Sequence, residues 1–205
     1  MSAITTTEQA AALATLLQAR RSTRNLTLAS FPPDFVADLA AAVRVVPSAF
    51  DTQPWRVVAL HERNSAFWDS IEETITMRLE GDRRMRYLAR ADGMRHGGMT
   101  VLIFEDRARS APRDGFSGEE AQDQAAQSIG MVQLALWLTI TAHGLSTSLQ
   151  HWHAIIEDRV LDFVGLPQEV FRLVSFMPVG EGAELTLSRP EAAERFAMED
   201  GTPGT

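Results

Sequence analysis

The alternation of helix-like and strand-like stretches along this chain predicts an α+β fold, in which helices flank a small mixed β-sheet. Three observations point there. Apolar residues recur at three- and four-residue spacing in several stretches, above all Gln122–His143, so helices dominate. Between them lie only a few short runs of strand character: Val57–Leu60, Met99–Phe104, Leu145–Gln150 and Phe171–Val179. The connections are irregular in length, which suits a layered sheet better than a doubly wound parallel one.

In chain order, Thr7–Ala19 reads as a helix with Ala11, Leu13, Leu16 and Leu17 as its apolar stripe. Pro32-Pro33 opens a second helix at its first turn, with Phe35, Val36, Leu39, Ala40, Val43 and Val46 on one broad face. Pro47 ends it, because the residue before a proline is disfavoured in the α region. After the Val57–Leu60 strand, Ala66–Leu79 forms a helix through Phe67, Ile71 and Ile75. Gly81–Arg95 carries Arg83, Arg84, Arg86, Arg90 and Arg95 among scattered apolar residues and reads as a solvated, partly helical excursion. Gly97-Gly98 breaks it before the Met99–Phe104 strand, and Asp106–Glu120 is a loop.

Gln122–His143 puts Ala125, Ile129, Val132, Leu136 and Ile140 on a core face, yet Leu134, Trp137 and Leu138 make the opposite side apolar as well. A helix greasy nearly all round is deeply buried or packs on another chain. Gly144 closes it. The Leu145–Gln150 strand, a short helix Asp158–Val164, the Phe171–Val179 strand and an amphipathic Glu191–Met198 complete the chain.

Composition narrows the function classes. At 205 residues the chain is a single domain, with a C-terminal arm at about 190–205. Apolar residues make up 45% and charged ones 22%, as in ordinary globular proteins. Without cysteine there are no disulfides, thiol nucleophiles or thiolate metal sites, which fits a reducing cytoplasm. No secretion signal and no run of membrane-spanning length is expected. A net charge of −8 disfavours nucleic acid as partner.

Two stretches carry the functional signal. Arg20, Arg21 and Arg24 stand within five residues around Ser22, at the end of the first helix. The helix dipole accounts for one or two of these cations. Three together suit the bidentate recognition of phosphate or carboxylate. The second stretch, Pro47-Ser48-Ala49-Phe50-Asp51-Thr52-Gln53-Pro54-Trp55-Arg56, is a polar turn between two buried elements. Protein-borne chemistry is weakly represented. His151 and His153 lack an acidic partner at metal-ligand spacing, so no metal site is expected. Ser128 and Ser148 lie in no nucleophile elbow, and no phosphate-binding glycine loop is present. A phosphate site without a nucleophile points to a cofactor that carries the reaction itself.

These stretches, with Ser128-Ile129-Gly130-Met131, Gly144-Leu145-Ser146-Thr147-Ser148-Leu149-Gln150-His151-Trp152 and Met177-Pro178-Val179-Gly180, resemble the FMN-dependent nitroreductase family, in particular its fatty-acid-repression-mutant-like subgroup. The resemblance runs from about Ala19 to Phe196. It implies a three-layer fold and a domain-exchanged homodimer with FMN at the subunit interface. By that resemblance Arg20, Arg21, Ser22 and Arg24 hold the FMN phosphate and ribityl chain. Pro47, Ser48, Phe50, Asp51 and Gln53 of the second subunit meet the flavin ring. Leu149, Gln150 and His151 lie along its other edge, their backbone reaching toward it, and Arg189 completes the phosphate site. NADH or NADPH then donates hydride to flavin N5, and a nitroaromatic or quinone accepts it. Asp51 stands where the family commonly has Asn. A carboxylate only accepts hydrogen bonds, and its charge near a reduced flavin would lower the reduction potential. An unchanged flavin midpoint potential in Asp51→Asn, where a rise is expected, counts against that role. The alternatives are a flavin-binding regulatory or stress-response protein whose turnover is incidental, and a flavin-free structural homodimer.

Overall fold

The structure is a computed structural model and describes residues 5–112, 115 and 117–182. Its helices are α1 (Thr6–Ala19), α2 (Phe35–Arg44), α3 (Asn64–Arg78), α4 (Gly81–Arg95), α5 (Gly118–Ala142) and α6 (His153–Val164). The strands are β1 (Leu26–Thr27), β2 (Trp55–Leu60), β3 (Met99–Asp106), β4 (Ser146–Thr147) and β5 (Phe171–Gly182).

Strand order is β1-β5-β3-β2, with β4 also paired to β5. Every pairing of named strands is antiparallel, so the sheet is not mixed in the expected sense. The one parallel contact among the described residues is an isolated bridge between Ser22 and Thr147. Strand β3 runs between β2 and β5 and is buried from Met99 to Glu105. Side chains alternate across a strand, and here the alternation divides two cores. Leu102 and Phe104 join Phe67, Trp68, Ile71, Ile156, Val160 and Phe176 under α3, α4 and α6. Met99, Val101 and Ile103 join Phe35, Leu39, Ile129, Val132, Leu136 and Ile140 under α2 and α5. The register of β3 on β5 shifts between Ile103 and Phe104, which leaves Val174 unpaired as a bulge.

Local chemistry sets the helix ends. Thr5 with Glu8 starts α1, and Ser117 with Glu120 starts α5, each as a reciprocal capping box. Glu8 and Glu120 each close their first turn by accepting from the cap residue's backbone N–H. Gly165 ends α6 in the left-handed conformation. The Gly81–Arg95 stretch is a complete helix, because Ala91 and Met94 reach the core and offset its otherwise polar composition. Helix α6 begins five residues earlier than expected, at His153, and buries Ile155 and Ile156. Helix α5 is long and apolar enough to cross a membrane, contrary to the sequence expectation. Its buried line of Ala125, Ile129, Val132, Leu136 and Ile140 makes it the core helix of one layer.

Glycine is required where β1, β5 and the turn after α4 converge. A Cβ on Gly97 would lie 2.4 Å from the Val179 carbonyl oxygen, and one on Gly180 would lie 2.5 Å from Gly97 Cα. Both neighbours are backbone, so no rotamer change could relieve the clash.

Candidate functional site

The arginine segment leaves α1 and lies against β4. Thr23 N–H donates to the Thr147 carbonyl at 2.9 Å, and Ser22 bridges Thr147. Since β4 leads directly into Leu149–His151, one backbone contact sets the arginines beside the segment expected at the flavin edge.

The three guanidiniums do not converge. Arg21 folds back and donates to the Gln18 and Arg20 carbonyls, closing the C-terminus of α1. Arg20 lies over the Trp137 ring, 4.6 Å from its centroid, and Trp137 Nε1 donates to the Arg21 carbonyl at 3.3 Å. Arg24 is exposed and has no hydrogen bond or ion pair among the described residues. Arg20 and Arg24 are thus the cations open to an anionic ligand, while Arg21 serves the helix end. Ser22 is exposed, and Thr23 is buried beneath it. Arg189, the expected fourth cation, lies outside the described residues.

The segment after β4 alternates in direction. Gln150 turns inward: its N–H and C=O pair with Phe176 at 2.9 and 3.0 Å, and its amide donates to Ser148 Oγ at 2.9 Å. Those bonds hold Gln150 within the fold. Leu149 and His151 face the other way. Partial burial first, and the charge of His153 second, hold the His151 imidazole below its ordinary value. It is therefore neutral near pH 7. Trp152 is buried against Tyr87 of α4, with ring centroids 5.1 Å apart.

The polar turn is a strained 3₁₀ turn. Phe50, Asp51 and Gln53 have φ of 54°, 53° and 44°, a left-handed region that costs non-glycine residues about 1–3 kcal/mol each. Surrounding contacts hold it. Ser48 Oγ accepts from Gln53 N–H at 2.9 Å, Thr52 Oγ1 donates to the Ala49 carbonyl at 3.0 Å, and Ala49 N–H reaches Ser128 Oγ on α5 at 3.4 Å. Ser48 is thereby a turn-forming residue. The side chains of Asp51 and Gln53 carry no hydrogen bond among the described residues. Phe50 is 57% exposed at the crest of the turn, and Pro47 is exposed before it. A cavity beside the crest is lined by Phe50, Thr52, Arg109, Ser110 and Gln124.

Within one chain the two segments attach to opposite halves of α5. The turn is tied at Ser128 and the arginines at Trp137, roughly 13 Å apart along the helix axis. The Ser22–Thr147 bridge sets the arginine segment beside the strand that leads to Leu149 and His151, while Phe50, Asp51 and Gln53 sit on the turn tied to the other half of α5. Sequence reasoning missed the anchors Trp137, Ser128 and Thr147. Trp137 had a signal, as a polar-capable aromatic on the second face of an already greasy helix. The other two are defined by partners distant in the chain. Among the described residues no group of histidines and carboxylates could hold a metal ion.

Residues 17–181 match the model of the nitroreductase family. Solved structures share the fold. The nitroreductase CinD from Lactococcus lactis, in complex with chloramphenicol, aligns at 22% identity and a TM-score of 0.74, covering 91% of this chain and 99% of that one. The FMN- and NADPH-dependent nitroreductase NfnB from a sphigopyxis strain aligns at 14% identity and 0.67, covering 91% and 98%. A nitroreductase-like protein from Desulfovibrio desulfuricans, in complex with FMN, aligns at 17% and 0.65, covering 91% and 96%. No curated protein matches the sequence at a significant level.

Proposed function

Because this chain belongs to the nitroreductase family, we propose that it is an FMN-dependent oxidoreductase that takes hydride from NADH or NADPH and reduces nitroaromatic or quinone-type acceptors. The observation that carries this reading is the Ser22–Thr147 bridge, which sets exposed Arg24 and Ser22 beside the segment leading to Leu149 and His151. The donor set suits FMN: a fork-shaped cation for a terminal phosphate, a hydroxyl for a ribityl oxygen, and an apolar side chain next to a neutral imidazole for a ring edge.

In this reading Arg24 and Arg20 bind the phosphate, with Arg20 braced on Trp137. Leu149 and the uncharged His151 border the ring and admit no extra positive charge near it. Asp51 and Gln53, with unbonded side chains on a rigid turn, orient the ring from the second subunit of a homodimer. FMN, when bound, supplies the redox chemistry, accepting a hydride and passing it on. The surface for the second subunit is the apolar side of α1 and α5, where Leu13, Leu17, Met131 and Leu134 are exposed. Subgroup membership and a cytoplasmic setting belong to the same proposal.

The purified protein should be yellow and release FMN on denaturation, and NADH or NADPH should bleach it until an acceptor restores the colour. Arg20→Ala with Arg24→Ala should fold yet lose most of the flavin, since each charge-assisted bond is worth about 1.5–3 kcal/mol. An unchanged flavin-to-protein ratio would remove the phosphate assignment. Flavin that binds but is not reduced by either nucleotide would favour the regulatory alternative.

A further inference from the structure

Helix α4 is strongly basic in an acidic protein: five arginines against two aspartates in fifteen residues. Arg95 is neutralised by Asp69 at 2.5 Å and Glu72 at 2.7 Å. Arg90 lies 5.7 Å from the Tyr87 ring centroid, and neither it nor Arg83 nor Arg86 has a carboxylate partner among the described residues. Three cations therefore stand exposed on one helix without a structural task that would explain them.

Their direction is set by the close approach of α4 to the arginine segment. A Cβ on Gly93 would lie 3.0 Å from the Arg24 carbonyl and 2.8 Å from Asn25 Oδ1, so this flank of α4 abuts Arg24–Asn25. At 3.6 residues per turn, Arg86 stands almost directly above Gly93 on that flank, Arg90 stands between it and the buried side, and Arg83 aligns with Arg90. The basic flank thus begins at Arg24 and runs roughly 15 Å from Gly93 to Arg83. Its inner margin is Tyr87, which packs on Trp152, the neighbour of His151.

We infer that Arg86 and Arg90, extended by Arg83, form a binding strip for the adenosine 2′-phosphate of NADPH, making this chain select NADPH over NADH. The inference rests on the oxidoreductase reading above. A strip whose inner margin, Tyr87, packs on Trp152 beside His151, and which extends about three helical turns, suits an extended dinucleotide whose nicotinamide meets the flavin. The extra phosphate monoester of NADPH is the group that guanidinium forks match, and NADH lacks it. The net charge of −8 works against a long polyanion but does not prevent one phosphate from settling among three local cations.

The test uses the FMN-loaded protein and measures kcat/KM for NADPH, for NADH, and for a dihydronicotinamide bearing no phosphate. NADPH should be favoured over NADH by about tenfold or more, the scale of one or two solvent-facing charged contacts. Arg86→Gln with Arg90→Gln should bring that ratio close to one while leaving NADH and the phosphate-free donor unchanged. Equal use of NADH and NADPH by the native protein, or a ratio that survives in the double variant, overturns the inference. Loss with all three donors would mean that the variant damages the flavin site, and likewise overturns it. A native protein that holds no FMN, or that the phosphate-free donor cannot reduce, refutes the oxidoreductase reading itself and this inference with it.

Discussion

Helices α1 and α3 are nearly equal in length, at fourteen and fifteen residues, yet α3 buries seven of its residues and α1 buries none. Phe67, Trp68, Ile71 and Ile75 of α3 are sealed between the sheet and α6, and Trp68 Nε1 donates to Thr100 Oγ1, which donates onward to Asn64 Oδ1. On α1, Leu13 is 52% and Leu17 42% exposed. The contrast separates an apolar stripe finished within the chain from one left open. The open stripe lies in the layer that carries the arginines and the polar turn, and the finished layer is scaffold.

That contrast is broken most forcefully on the scaffold side. Phe67→Ala, which removes a ring in edge contact with Trp68 and Phe163, should cost about 3–5 kcal/mol in denaturant unfolding. Gly97→Ala forces backbone apart at the Val179 carbonyl and should cost about 1–3 kcal/mol by the same measurement. A loss below about 0.5 kcal/mol in either variant would show that the sheet and its helices yield more readily than their packing implies.

A smaller effect tests the join of α3 to α6. Arg78 grips both oxygens of Asp158 at 2.6 Å, and that hydrogen bonding leads in holding the Asp158 carboxyl below its ordinary value of 3.8. A depressed carboxyl stabilises the fold above the ordinary value, and that contribution is lost as pH falls through the folded-state value. Both side chains are more than 40% exposed, so the pair is worth no more than about 1 kcal/mol. The stability gap between native protein and Asp158→Asn should be open at pH 7 and close in acid. A gap constant with pH would contradict the assignment.

Least perturbing to the fold, and sharpest for the comparison, is Leu13→Asp with Leu17→Asp. The chain should keep its circular dichroism spectrum, since these side chains contribute nothing to either core. Its light-scattering mass should fall from twice the chain to the 22.6 kDa of one chain. Native protein that already runs as one chain would show that the exposed face of α1 is not an interface.

What could be read without coordinates follows the range of the forces involved. Periodicity located the helices now seen as α1, α2, α3 and α5, because an apolar stripe is a local record of burial. It saw α4 only as a partly helical stretch, because Ala91 and Met94 are too few to stand out among arginines, and the contact of Gly93 with Arg24 and Asn25 joins residues far apart in the chain. It also missed the first five residues of α6. The arginine cluster was visible as composition, but not its division of labour, because Arg21's return to the end of α1 and Arg20's seat on Trp137 depend on the chain's path. The unusual backbone at Phe50, Asp51 and Gln53 was likewise hidden, since no glycine marks it. The resemblance sets Gln150 along the flavin edge, and its bridge to Phe176 and its amide contact with Ser148 join residues whose pairing only the fold displays.

The seat of Arg20 on Trp137 also supplies an optical gauge. Of the four tryptophans, Trp68 and Trp152 are sealed inside the protein, and Trp55 lies in β2. Trp137 carries the Arg20 guanidinium on its ring and donates to the Arg21 carbonyl, so its ultraviolet emission is sensitive to any anion that binds this guanidinium. Occupancy at that end of α5 can therefore be followed by fluorescence in the unlabelled protein, even with ligands that have no colour of their own.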